Sequence, residues 1–236
     1  MPSLYKLSKS AWERIPAPAR KRLDAIAPLR SVRQGYAGFV RRWAQHDELY
    51  TKDYFESVER SARESAPIIA QSIVAELAPG SALDIGCGSG ALLVDLRRLG
   101  VAVRGFDYSE AALTLCRRQN LDVGKFDLES SQEIDCPPAD IVISTEVAEH
   151  LPESCADRYV DILCSKANTV IFTAATPGQG GRDHVNEQPH QYWLDKFAAR
   201  GFRLDHPATF RWRAEWEAKG VALWYHRNLM ILRREA

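Results

Sequence analysis

Two carboxylates and an imidazole crowd one short stretch of this chain. They are Glu146, Glu149 and His150, in Ser144-Thr145-Glu146-Val147-Ala148-Glu149-His150-Leu151-Pro152. Glu146 and Glu149 are three apart, and Glu146 and His150 four apart, so a helical turn would set all three on one face. Such a face can bind a divalent ion, or it can set up His150 as a general base. His184 and His190 come later, in a loop that Gly178, Gly180 and Gly181 make able to fold over a ligand. A second stretch, Ala82-Leu83-Asp84-Ile85-Gly86-Cys87-Gly88-Ser89-Gly90, runs an apolar segment into three glycines. Glycines let the chain turn tightly and let a ligand approach the backbone, and a helix starting there offers free N–H groups. The spacing is G-x-G-x-G, not the dinucleotide G-x-G-x-x-G. Asp107 follows Asp84 by 23 positions, where a carboxylate can accept both ribose hydroxyls of a nucleoside.

These residues need elements to hold them. Short apolar runs predict strands at Ala82–Ile85, Val101–Phe106, Asp122–Phe126, Asp140–Ser144, Thr169–Thr173, Phe202–Asp205 and Leu223–Leu232. Between them lie amphipathic stretches. A helix over residues 64–78 carries Ile69, Ile73 and Leu77. Ala91–Leu99 has Leu92, Leu96 and Leu99 on one face, with Gly100 as a stop. Ser109 caps a helix to about Arg118, and Pro152 sits at the first turn of one carrying Ala156, Tyr159, Val160 and Leu163. Pro189 opens another, with Trp193 and Phe197 facing inward, and Arg211–Gly220 reads as a short lid or surface helix. Strands alternating with helices predict an α/β doubly wound sheet covered on both faces. In such sheets ligands bind beyond the carboxyl ends of the strands, where both stretches would lie.

At 236 residues, 45% apolar and 26% charged, the chain is globular rather than disordered or collagen-like. Its net charge of zero conceals an asymmetry. Residues 1–46 hold ten basic and two acidic residues, a balance of +8, so the remainder carries −8. Cys87, Cys116, Cys136, Cys155 and Cys164 are odd in number and form no C-x-x-C pair. That is neither a disulfide framework nor a zinc-finger pattern, and it fits a reducing, cytoplasmic setting. No apolar run approaches the roughly 18–20 residues that span a bilayer, and the N-terminus lacks the apolar core of a secretory signal. The arginine-rich start also fits a mitochondrial transit peptide.

The glycine stretch closely resembles motif I of the class I S-adenosylmethionine-dependent methyltransferases, and the resemblance extends over roughly residues 64–234. It implies a seven-stranded, mostly parallel sheet with an antiparallel last strand, here preceded by a basic N-terminal helical extension over residues 1–63. It also implies that Gly86, Gly88 and Gly90 pass under the amino-acid part of S-adenosylmethionine, alongside Asp84. Asp107 would hold the ribose hydroxyls, Tyr108 would lie beside the adenine, and Asp127 and Leu128 would meet the adenine edge. The E-x-x-E-H pattern is shared by ubiquinone-pathway O-methyltransferases. It is also similar to the metal site of the small-RNA 3′-end 2′-O-methyltransferases, where a histidine in a D-H loop completes the set, as Asp183-His184 does here. By that resemblance Glu146, Glu149, His150 and His184 bind Mg²⁺ or a similar ion. The rest of that loop is not matched, and Asn186-Glu187-Gln188-Pro189-His190 is peculiar to this chain.

The resulting expectation is an O-methyltransferase acting on a hydroxyl of a small molecule, either a sugar or polysaccharide unit or a quinone-like phenol. A metal-assisted version and a metal-free one, with His150 as base beside Glu146 and Glu149, both stand. Tyr50, Tyr54, His190 and Trp212 are candidates to face the acceptor, and Trp216, Trp224 and Tyr225 could wall its pocket. Two rival readings are an RNA 2′-O-methyltransferase, which the −8 body disfavours, and a noncatalytic cofactor-binding interaction protein. The basic arm suits a lid, a docking segment or a peripheral contact with an anionic membrane surface. Oligomeric state is not legible.

Overall fold

Short apolar runs build the sheet at the centre of the computed structural model, which describes residues 52–130 and 133–235, with side chains from residue 60 onward. A helix α1 (Lys52–Leu77) leads into β1 (Ser81–Ile85), α2 (Ala91–Arg98), β2 (Ala102–Asp107), α3 (Glu110–Arg118), β3 (Val123–Lys125) and β4 (Ile141–Thr145). Two 3-10 turns, Ala148–His150 and Glu153–Cys155, precede α4 (Ala156–Lys166) and β5 (Thr169–Thr173). Then come α5 (His190–Ala198), β6 (Phe202–Leu204), α6 (His206–Ala218), α7 (Leu223–Asn228) and β7 (Met230–Arg234). The seven strands lie in the order β3-β2-β1-β4-β5-β7-β6. β7 alone runs against the rest. This is the expected α/β sheet with its antiparallel last strand.

Alternation along each strand splits the core in two. Val142, Val170, Phe172, Met230 and Leu232 face one layer with Tyr159 and Leu163 of α4 and Trp193 and Phe197 of α5. Ile141, Ile143, Ile171 and Ile231 face the other, with Ile69 and Ile73 of α1, Leu96 of α2, and Trp212 and Trp216 of α6. A strand buried on both faces reads as a continuous apolar run, which is why these were legible. In α2 the burial falls on Leu93 and Leu96, while Leu99 caps the helix and stands 43% exposed, contrary to the expected face.

α1 begins at Lys52 and runs unbroken through position 63, and the compact unit of which it is part starts at Thr51. The basic arm and Tyr50 lie outside the described residues, as does the side chain of Tyr54. Among the described residues, no helix is long and apolar enough to cross a membrane.

Two expectations about the C-terminal part are corrected. The stretch Leu223–Leu232 is not one strand: Leu223–Asn228 is helical, and the strand starts at Met230. The buried Asn228 side chain is bonded to Glu146 and Gln179, and Arg213 Nε and Nη2 hold the Leu229 carbonyl, so the chain turns before it pairs. Nor does Arg211–Gly220 form a lid. It belongs to α6, whose Trp212 and Trp216 are each 1% exposed and packed on the sheet. The Trp212 indole N–H donates to Glu76 Oε2 at 2.5 Å, and that of Trp216 to Ser72 Oγ at 3.0 Å. Glu76 is one residue from the end of α1, beside the amino edge of the sheet, so Trp212 cannot wall a pocket at the carboxyl edge. Trp212→Phe is expected to cost about 1–3 kcal/mol in urea denaturation, since it strands a carboxylate oxygen and shrinks a core ring. A tryptophan on an open pocket wall would cost under about 0.5 kcal/mol.

The strands β1, β2, β4 and β5 all end at one edge, and β7 starts there, with Phe172 paired to Met230. The glycine loop, Asp107, residues 146–150, the loop over residues 174–189 and Asn228 therefore converge.

Candidate active site

The cofactor half is a strand-to-helix turn tied to its neighbour. Gly86 N–H and Cys87 N–H both donate to the Phe106 carbonyl, at 2.7 and 3.0 Å. Asp107 at the end of β2 accepts from Gly88 N–H through Oδ2 and from Ser109 N–H through Oδ1, each at 2.8 Å. The three motif glycines differ in what surrounds them. A Cβ at Gly86 would sit 2.3 Å from Val147, and one at Gly90 would sit 2.5 Å from Leu121. Gly88, at φ +53, faces nothing within 4 Å, so it is the glycine that leaves space for a ligand. Cys87 is packed against Cys116, whose thiol, with burial, pushes it well above the usual thiol range. It is a filler, not a nucleophile.

Asp84 lies just before this loop, 4% exposed, and its Oδ1 has no hydrogen-bond partner among the described residues. Burial, with help from the charge of Asp107, pushes its carboxyl up to about 7. A buried anion with an unused oxygen beside an open glycine suits the cationic amino-acid end of S-adenosylmethionine. The same shift has a stability consequence. A carboxyl with a raised folded-state pKa binds its proton more tightly in the native state, so its contribution is full below about pH 4 and is lost as pH rises to about 7. A shift of that size corresponds to about 4 kcal/mol. Asp84→Asn is therefore expected to be more stable than the parent at pH 8, with the gap closing near pH 4. Thermal melts of the ligand-free protein across that range check it.

The segment after β2 and the turn after β3 are less tightly built. Tyr108 follows Asp107, with the Lys125 ammonium 5.3 Å from its ring centre. Asp127 Oδ1 accepts from Glu129 N–H at 2.8 Å and so shapes its own turn, while the Leu128 carbonyl accepts from Arg158 Nη1 at 3.2 Å.

The acceptor half differs from expectation at Glu146. Its φ of +54 breaks the helical path that the spacing implied, and only Ala148–His150 forms a turn. Glu146 Oε1 accepts from Asn228 Nδ2 at 3.1 Å and Oε2 from Gln179 Nε2 at 2.9 Å. Asn228 Nδ2 also donates to Gln179 Oε1 at 2.8 Å, closing a triangle. Burial raises the Glu146 carboxyl, against the pull of these two amides. Glu146 thus stands outside the metal-competent cluster, which is Glu149, His150 and His184, their ligand atoms all within 4.8 Å of one another.

Glu149 is fully buried; the backbone N–H groups of Glu149 and Ala175 and the Glu146 carboxyl lie near its side chain, but no side chain of opposite charge compensates it among the described residues. Burial, and then the neighbouring Glu146, push its carboxyl well above the usual range. Its backbone carbonyl accepts from Val185 N–H at 2.8 Å and Asn186 N–H at 3.0 Å, which brings the Asp183-His184 loop onto the turn. The rings of His150 and His184 then meet edge to face, 5.0 Å between centres. Beneath them, Tyr159 Oη and Ser144 Oγ are 2.6 Å apart, and Ser144 Oγ donates to the Ile85 carbonyl at 2.5 Å. Both are buried, and the pair locks β4 to β1 just under the site.

His190 opens α5, with Nδ1 3.5 Å from Arg213 Nη2 and with burial and Arg213 together lowering its pKa. It sits near Asn228. Sequence reasoning missed Asn228 and Gln179, which hold Glu146 by long-range bonds that no spacing announces, and Glu187, which bonds within its own loop. Tyr225 of α7 is also here: burial and the charge of Glu146 hold its phenol protonated.

Residues 83–167 match a family model described as a methyltransferase domain. The ubiquinone biosynthesis O-methyltransferase of Nitrosococcus oceani is 34% identical over 84 residues, covering 33% of this chain and 36% of that protein. The protein of the same name from Caulobacter vibrioides is 39% identical over 77 residues, covering 30% and 31%. The chain thus spans about a third of the length of the curated relatives it matches. Among solved structures, magnesium protoporphyrin IX methyltransferase (ChlM) from Synechocystis, with bound SAH, superposes with a TM-score of 0.56 at 19% identity, covering 87% of this chain and 99% of that one. The amino pentose methyltransferase CalS10 from Micromonospora echinaspora, with SAM bound, gives 0.58 at 15% identity, covering 79% and 98%. The fold is that of these methyltransferase structures, and residues 83–167 match the methyltransferase-domain model.

Proposed function

We propose that the chain is an S-adenosylmethionine-dependent O-methyltransferase acting on a hydroxyl of a small molecule, a sugar or polysaccharide unit or a quinone-like phenol, with a divalent ion at the acceptor site. One observation carries the reading. Glu149, His150 and His184 bring three ligand atoms within 4.8 Å at the sheet edge that also holds the glycine loop. A fully buried carboxylate with no opposite charge beside it is costly unless something cationic meets it, and two imidazoles beside it complete a fitting donor set.

On the cofactor side, Gly88 leaves room, Asp84 faces the cationic end, and Asp107 takes the ribose hydroxyls, with Tyr108, Asp127 and Leu128 around the adenine. The cofactor, when bound, supplies a methyl group already activated on a sulfonium. The protein is left with alignment, which can be worth on the order of 7–11 kcal/mol, and with removal of the acceptor proton. A hydroxyl needs that removal far more than an amine does, and the relatives of the matched segment are O-methyltransferases by name. A divalent ion such as Mg²⁺ held by Glu149, His150 and His184 would lower the pKa of an acceptor hydroxyl. Glu146, fixed by Asn228 and Gln179, keeps lone pairs for that hydroxyl. His190 borders the same space.

The test is transfer of labelled methyl from S-adenosylmethionine to panels of sugars, phenols and short RNAs, with and without EDTA. The reading expects label on a sugar or phenol oxygen, lost with EDTA and restored by Mg²⁺. Transfer that EDTA leaves intact removes the ion and leaves His150 as base. Label found only in RNA removes the small-molecule acceptor. Failure to bind S-adenosylhomocysteine defeats the proposal altogether.

A further inference from the structure

Glu187 lies outside the three-residue cluster, yet it touches more of the acceptor loop than any member of it. Its Oε1 is 2.9 Å from His184 Nδ1 and accepts from Gly180 N–H at 2.7 Å, and its Oε2 accepts from Gly178 N–H at 2.8 Å. One side chain thus fastens both ends of the Gly178–His184 segment and one nitrogen of the histidine within it. Both carboxylate oxygens accept a backbone N–H, so the group meets His184 as an acceptor and the nitrogen facing it carries the proton. The other nitrogen is shaped separately. His184 Nε2 lies where a side chain at position 181 would stand, since a Cβ built on Gly181 would come within 2.2 Å of it.

We propose that Glu187 is the positioning residue of this site: it locks His184 in the Nδ1–H tautomer and so leaves Nε2 as a lone pair for the Glu149–His150–His184 cluster. Carboxylates behind metal-bound histidines commonly do this, and their loss costs about 10–100-fold in metal affinity. The inference rests on the proposed role of that cluster only for what the lone pair meets. The tautomer itself is a property of the ligand-free protein. It also accounts for the glutamate in the Asn186-Glu187-Gln188 stretch, where the chain departs from the pattern it otherwise resembles.

The experiment is ¹⁵N-histidine NMR of the full chain at a pH where His184 is neutral, with peaks assigned through His184→Gln. The expected result is an Nδ1–H pattern for His184, unlike the Nε2–H form that predominates in free histidine. Glu187→Gln, which keeps the shape but can donate as well as accept, should shift His184 toward Nε2–H. It should also weaken Mn²⁺ binding, measured by titration calorimetry, about 10–100-fold while leaving S-adenosylhomocysteine affinity unchanged. Glu187→Asp, if folded, should restore part of both. A parent spectrum showing Nε2–H, or one unaltered by Glu187→Gln, overturns the inference. A parent that shows the Nδ1–H form but binds no Mn²⁺ overturns the metal reading instead and upholds the tautomer lock.

Discussion

Asp107→Ala should reduce affinity for S-adenosylhomocysteine by about 10²–10³-fold. Two separate losses add up to this. A carboxylate at the end of β2 would accept both ribose hydroxyls, and hydrogen bonds to a charged group are worth about 1.5–3 kcal/mol each. The same carboxylate also accepts from Gly88 N–H and Ser109 N–H, so its removal loosens the loop that leaves space for the ligand. Asp107→Asn separates the two effects. It keeps an acceptor for one backbone donor but holds no charge, and should fall between the parent and the alanine variant. Calorimetric titration reads the affinity, and a thermal melt shows whether the variants are folded. An Asp107→Ala protein that binds like the parent would defeat the cofactor assignment.

The second large effect is expected at Glu149, and there stability and activity should move in opposite directions. The carboxyl is fully buried with no opposite charge beside it, and burial with Glu146 pushes its pKa well up. Glu149→Gln removes the charge at nearly constant volume. Because the folded-state pKa is raised, the contribution of this group is full at acid pH and is lost as pH rises through that pKa. The glutamine variant lacks that loss, so its stability advantage over the ligand-free parent should grow with pH. Methyl transfer should drop about 10²–10⁴-fold, the usual worth of assisted proton removal, because the ion that would acidify the acceptor hydroxyl loses a ligand. Added Mn²⁺ should stabilise the parent and not the variant. A Glu149→Gln protein that turns over normally would strip the cluster of its role, whatever its melting temperature. Such a pairing, a costly buried charge retained where chemistry needs it, is what a functional site predicts and a packing role does not.

Much of this architecture could be read from the chain alone. Val170, Ile171 and Phe172 form a run that only a strand buried on both faces requires, and Trp193 and Phe197 take the inward face of their helix as their spacing implied. Gly86, Gly88 and Gly90 all adopt positive φ, so glycine type and local path agree. Each of these rests on interactions among residues within about ten positions. Leu223–Leu232 was misread because its aromatic and β-prone residues satisfy either state locally, and the choice of helix is made by distant partners. Asn228 is bonded to Glu146 and Gln179, and Arg213 to Leu229.

The same division runs through the site. The sequence by itself determined the sheet, the glycine turn, and which end of the strands would gather the acidic and imidazole groups, because hydrophobic periodicity and positive-φ glycines act over short range. Only the tertiary structure decided which of those groups meet. Helical spacing placed Glu146 with His150, but a left-handed residue after β4 and two amides from remote segments turn it aside. His184 takes its place beside Glu149 because two backbone N–H groups of its loop bond to the Glu149 carbonyl. Trp212, a candidate for the acceptor pocket, went to the core because Glu76 of α1 lies ready to accept its N–H. Contacts between residues far apart in the chain decide such matters, and neither spacing nor composition encodes them.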